Sequence, residues 1–164
     1  MTTTEIYYFT GTGNSLSVAR ELNGHLSRSK LIPIASLRDK KKVETSADVV
    51  GIVFPVYFGK APNIVKDFVR RLAVKNDVYI FALATYGGSS GKALKELKVL
   101  LDSRGIELSA GFDIHMPQNA FYKSWENKNK LYIKSRRRVD SIAKKIENRK
   151  KGAHHSDYML RPIV

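Results

Sequence analysis

Two stretches of this chain are apolar almost without interruption: Val49-Val50-Gly51-Ile52-Val53-Phe54 and Val78-Tyr79-Ile80-Phe81-Ala82-Leu83-Ala84. A strand with one face in water alternates polar and apolar residues. A strand that is apolar throughout needs cover on both faces, as in a parallel sheet layered between helices. The stretches around them switch to helical spacing. Val18, Ala19, Leu22 and Leu26 make one such face, Ile64, Val65, Phe68 and Leu72 a second, and Leu94, Leu97, Leu100 and Leu101 a third. Strands alternating with helices predict a doubly wound α/β sheet. Ligands of such sheets bind beyond the carboxyl ends of the strands, where the strand order reverses.

The remaining elements follow from local signals. Ile6-Tyr7-Tyr8-Phe9 predicts a first strand, stopped by Thr10-Gly11-Thr12-Gly13. Leu31-Ile32-Pro33-Ile34 predicts a short second strand, and its proline suits an edge. Leu37 to Ser46 reads as a polar crossover. Pro62 suits a first helical turn, Ser90 a helix cap, and Gly105 a helix stop. Residues 106–116 predict a fifth strand, and about 125–149 a last helix with Tyr132, Val139, Ile142, Ala143 and Ile146 inward. The chain's 164 residues make one domain, assigned to residues 1–150, with 151–164 a loosely held tail.

Composition removes several chemistries. There is no cysteine, which excludes disulfides, thiolate metal sites and cysteine nucleophiles within the chain. No apolar run approaches the roughly 20 residues of a membrane-spanning helix, so no membrane insertion is expected. The first residues show no basic region ahead of an apolar one, so no signal peptide is read and a cytoplasmic protein is expected. His154-His155 has no third ligand nearby and is read as tail; no metal site is expected. The net charge is +14, and residues 123–164 alone hold 13 basic and 4 acidic side chains. That calls for an acidic partner or a nucleic acid to be weighed.

The loop after the first strand, Thr10-Gly11-Thr12-Gly13-Asn14-Ser15, opens a helix. Glycines bring backbone amides inward, the helix N-terminus adds unpaired donors, and three hydroxyls add more. This is an anion cradle made of neutral groups. It has no lysine, so the nucleotide-hydrolase loop is excluded. The third glycine of the dinucleotide fingerprint is replaced by Leu16, and no acid follows the second strand, where Ile34, Ala35 and Ser36 stand. A terminal phosphate monoester remains.

Thr10 to Ser15 after an aromatic-rich first strand resembles the phosphate loop of flavodoxins. The chain looks most similar to the flavodoxin-like domain of flavodoxin–ferredoxin fusion proteins of anaerobes, without the cysteines that bind their clusters. The resemblance implies a three-layer sandwich around a five-stranded parallel sheet of order 2-1-3-4-5. It implies flavin mononucleotide (FMN) as cofactor, with its phosphate on residues 10–15. The ring would lie against Pro55, Val56, Tyr57, Phe58 and Gly59 after the third strand, and against Thr85, Tyr86, Gly87 and Gly88 after the fourth. Tyr57 or Phe58 would cover a ring face, and the Gly59 carbonyl would face the ring nitrogen that is protonated on reduction. Asn119, with Gln118, would read the pyrimidine edge. His115 is read as a packing residue rather than an acid or base.

The function so implied is electron transfer to or from a partner protein, with no catalytic residue assigned. The alternative is a flavin-dependent reductase or oxidase acting on a quinone or porphyrinogen. From another class comes a basic module that binds nucleic acid or an acidic protein, favoured by Arg136-Arg137-Arg138. No aromatic residues interleave those charges in a known nucleic-acid motif, so an acidic redox protein such as a ferredoxin is the expected partner.

Overall fold

A computed structural model describes residues 1–117 and 125–154. The strands are β1 (Thr4–Tyr8), β2 (Ser29–Pro33), β3 (Val43–Glu44), β4 (Val49–Pro55), β5 (Leu72–Ala73), β6 (Tyr79–Tyr86), β7 (Ala110–His115) and β8 (Gly152–His154). The helices are α1 (Asn14–His25), α2 (Asn63–Arg71), α3 (Ala93–Asp102) and α4 (Trp125–Glu147), with one 3-10 turn at Ile34–Leu37.

The main sheet has six strands in the order β2-β1-β4-β6-β7-β8, all parallel, and β3 pairs with β5 in a separate two-stranded ribbon. This corrects the expected five strands. The sixth comes from the segment read as a loose tail: Gly152, Ala153 and His154 pair with Ala110, Gly111 and Phe112. The ribbon comes from the ends of the crossover and of α2.

Two apolar cores lie on opposite faces of the sheet. Val50, Ile52 and Phe54 of β4 pack with Ile80, Ala82 and Ala84 of β6 under α2 and α3. Val49 and Val53 pack with Tyr79, Phe81 and Leu83 under α1 and α4. Both central strands are therefore buried on both faces, which is why their sequences lack alternation. β2 is an edge strand, as Pro33 predicts.

Boundaries shift where local signals mislead. β7 begins at Ala110 rather than at residue 106. Ser90 is buried rather than a cap, and α3 starts three residues later behind Lys92, with no side-chain cap. Gly105, at φ 71°, ends that helix as expected. At the amino ends of the strands, Glu5 is partly buried, which alone would raise its pKa. Hydrogen bonds from Thr45, Tyr7 and Lys30 outweigh this and hold the carboxyl below its usual range. Lys75 hydrogen-bonds Asp48 and brings it down to about 2.

Candidate functional site

The carboxyl ends of β1, β4, β6 and β7 all lie on one edge of the sheet, because the strands are parallel. Each is followed by one of the loops singled out in the sequence. α1 begins after Gly13, whose φ of 98° makes the sharp turn from strand to helix. No side chain caps this helix, and its first turn contains no acid. Its N-terminal amides thus face a loop free of carboxylates, the condition an anion requires.

The loop's side chains divide into anchors and exposed groups. Thr10 Oγ1 accepts the Gly13 N–H at 3.0 Å, which closes the turn. Ser15 is buried, and its hydroxyl lies 2.8 Å from that of Thr85 at the end of β6. This clasp joins two residues 70 positions apart. Asn14 Nδ2 donates to the Pro117 carbonyl at 3.0 Å, tying the loop to the chain beyond β7. Gly11, Thr12 and Gly13 remain exposed. Ser15 and Asn14 therefore shape the cradle, leaving backbone amides and the Thr12 hydroxyl for an anion.

After β4 the chain makes a tight hairpin. Tyr57 and Lys60 exchange two backbone hydrogen bonds of 2.9 Å, and Phe58 and Gly59 between them have φ of 52° and 75°. Two positive φ values define the I′ hairpin turn, which an aromatic residue rarely enters. Phe58 stands fully in solvent at 103% relative exposure, and Tyr57 is 41% exposed. Tyr57 leans onto the loop that opens α1: a Cβ added to Gly11 would lie 2.2 Å from its hydroxyl oxygen. The first two loops are in contact, with Pro55 and Val56 half-buried behind them.

Two of the expected ring-contacting residues have other partners in this structure. The Gly59 carbonyl accepts the Lys92 N–H at 2.8 Å and so is held toward α3 rather than displayed to a ring. A Cβ on Gly91 would lie 2.5 Å from Gly59 Cα, so the two loops pack backbone to backbone. Tyr86 is 3% exposed and stacks on His115 at 5.3 Å between centroids. It closes the end of the core instead of lining an open wall. His115 meets the Gly87 carbonyl at 2.8 Å and packs, as expected. Gly88 is exposed and Gly87 half-buried. Gln118 and Asn119 lie outside the described residues.

Sequence reasoning passed over Gly91, Lys92 and Glu96. Glu96 accepts the Ala61 N–H at 3.2 Å and pairs with Lys66 at 3.2 Å. These residues brace the 57–61 turn through contacts some 30 positions distant in sequence, for which no local signal exists. Among the described residues no cluster of His, Asp or Glu is arranged to hold a metal. No helix there is long and apolar enough to cross a membrane.

No family model and no curated protein matches the sequence. Solved structures do match. A putative flavoprotein from Bacteroides uniformis superposes with a TM-score of 0.56 at 19% identity, over 81% of this chain and 98% of that one. A Streptococcus pneumoniae flavodoxin gives 0.55 at 15% identity, over 88% and 97%. An FMN-dependent NADH-azoreductase from Bacillus anthracis, solved with FMN, gives 0.58 at 11% identity, over 88% and 99%. At such identities the likeness concerns the backbone, and with the layers and parallel sheet described above it establishes that this chain has the flavodoxin-like α/β fold.

Proposed function

We propose that the chain binds FMN across the carboxyl ends of β1, β4 and β6 and serves as an electron-transfer flavoprotein. The observation that carries this reading is the convergence of two loops. The acid-free, uncapped start of α1 lies directly against a turn bearing two exposed aromatic residues, Tyr57 and Phe58. A phosphate monoester joined to a flat apolar ring matches both halves. The putative flavoprotein, the flavodoxin and the FMN-bound azoreductase among the structural neighbours support the same reading.

The residues present fit the group. Thr12 and the amides of Asn14 to Leu16 would hold the phosphate, and the Ser15–Thr85 clasp fixes the cradle beneath them. Tyr57 and Phe58 would cover the ring and limit water at its face. When bound, FMN supplies one- or two-electron redox chemistry, and the protein contributes position and potential. The electron partner would be an acidic protein, such as a ferredoxin, drawn by the net charge of +14.

A carrier needs its partner, whereas a reductase oxidises a nicotinamide cofactor alone. FMN-loaded protein mixed anaerobically with NADH or NADPH should keep its oxidised flavin spectrum. Rapid bleaching without added protein would move the assignment to a reductase, the role named for the azoreductase neighbours.

A further inference from the structure

We propose that the groove between α2 and α3 is the surface on which the acidic electron partner docks. The proposal rests on the flavin reading above and adds where that partner sits. Lys92, just before α3, and Lys95, Glu96, Val99 and Leu100 on it recur at helical spacing along one stripe, and Lys66 and Arg70 face them from α2. Together they line a groove of about 470 Å³.

Its charge is one-sided. The single carboxylate of the lining, Glu96, is consumed by Lys66 and by the Ala61 amide. Arg70 pairs with Asp67, an exposed contact of 2.7 Å that water weakens. Lys92 and Lys95 have no ion pair among the described residues, and exposed Lys60 follows Gly59, whose carbonyl accepts the Lys92 N–H. Val99 is 58% exposed, an apolar spot inside this basic rim, and Leu100 lies half-buried beside it. An apolar centre with a charged rim is how protein interfaces are laid out. Charge complementarity selects an acidic protein.

Position distinguishes this surface from the other basic one. The groove opens beside the 57–60 turn, to which Lys92 is hydrogen-bonded at 2.8 Å. A partner seated there lies next to the exposed aromatics of the site. The exposed ridge of α4, with Lys130, Lys134 and Arg137, belongs to a helix that packs with α1 on the opposite face of the sheet. A small encounter surface, below about 1,200 Å² in total, suffices for weak redox contacts. In each productive encounter the reduced iron–sulfur centre of the partner is oxidised by one electron and the flavin is reduced by one. No bond forms between the proteins.

The test uses FMN-loaded full chain and a prereduced acidic ferredoxin as probe, with dithionite as a small anionic reductant for comparison. Flavin content is read from absorbance before mixing. At about 0.1 M ionic strength, where charges beyond about 10 Å are screened, Lys92→Glu/Lys95→Glu should slow reduction by the ferredoxin at least about tenfold and flatten its salt dependence. Lys134→Glu/Arg137→Glu, with the same change in charge, should slow it less than about threefold, because exposed charges distant from the contact are screened. Dithionite should reduce both variants at rates within about threefold of the original protein. Equal slowing of both variants, or equal slowing with dithionite, would overturn the docking surface while leaving flavin binding intact. Nucleic acid held through a salt wash by the original protein and lost from Lys92→Glu/Lys95→Glu would overturn it in favour of the rival ligand. A chain that takes up no FMN would remove the flavin reading and this proposal with it.

Discussion

Thr12→Asp should weaken FMN binding at least about 100-fold, close to 3 kcal/mol. Thr12 is exposed between Gly11 and Gly13, at the open start of α1. A carboxylate there sits within a few ångströms of the phosphate. Two unit charges 4 Å apart interact by about 4 kcal/mol at a surface-like dielectric. The phosphate carries nearly two charges, so the effect survives considerable screening. The same substitution should not harm the fold, because aspartate is favoured near an uncapped helix N-terminus. The expected result is a lost affinity with an unchanged or slightly raised melting temperature of the flavin-free protein. Titration followed by quenching of flavin fluorescence measures the first, and circular dichroism the second. Thr12→Ser keeps the hydroxyl and should stay within about threefold. Unchanged affinity in Thr12→Asp would mean that the anion lies elsewhere.

Gly51→Ala should destabilise the chain by about 3 kcal/mol, the upper part of the range for overpacking. Gly51 lies in β4 directly opposite Phe81 of β6. A Cβ there would come within 2.2 Å of the tip of the Phe81 ring, which is completely buried. The ring also packs edge-on against Phe112 at 6.3 Å, so it has little freedom to retreat. For a chain of this size the loss corresponds to a fall of roughly 6–12 °C in melting temperature. Phe81→Leu alone leaves a cavity and also destabilises. In combination with Gly51→Ala it should recover part of the loss, giving a non-additive cycle. Simple additivity would show that the glycine is not there to admit the ring.

The layered core was legible because burial leaves a direct trace in composition. β4 and β6 are covered on both faces, and their residues are apolar on both. β8 left no such trace. It has three residues, Gly152, Ala153 and His154, and it pairs through its backbone, which any sequence can offer. The turn from β1 into α1 was legible because glycines and hydroxyls cluster within six residues. The clasp between Ser15 and Thr85 was not, since contact between distant positions has no periodic signal. Tyr86 illustrates a different limit. An aromatic residue at a strand end can finish the core or line a pocket, and sequence does not distinguish the two; stacking on His115 decides for the core. At Phe58 the left-handed backbone runs against local preference, so the I′ turn was hidden behind a residue type that seldom makes one.

The central claim, a cradle of neutral donors that grips a phosphate and brings a flavin ring against Tyr57 and Phe58, is tested most directly by parallel titrations of the purified chain with FMN and with riboflavin. The two ligands share the ring and differ in the phosphate. The account predicts one FMN per chain, bound at least about 100-fold more tightly than riboflavin, as two or more charge-assisted hydrogen bonds require. Equal affinity for the two ligands, or uptake of neither, would contradict it.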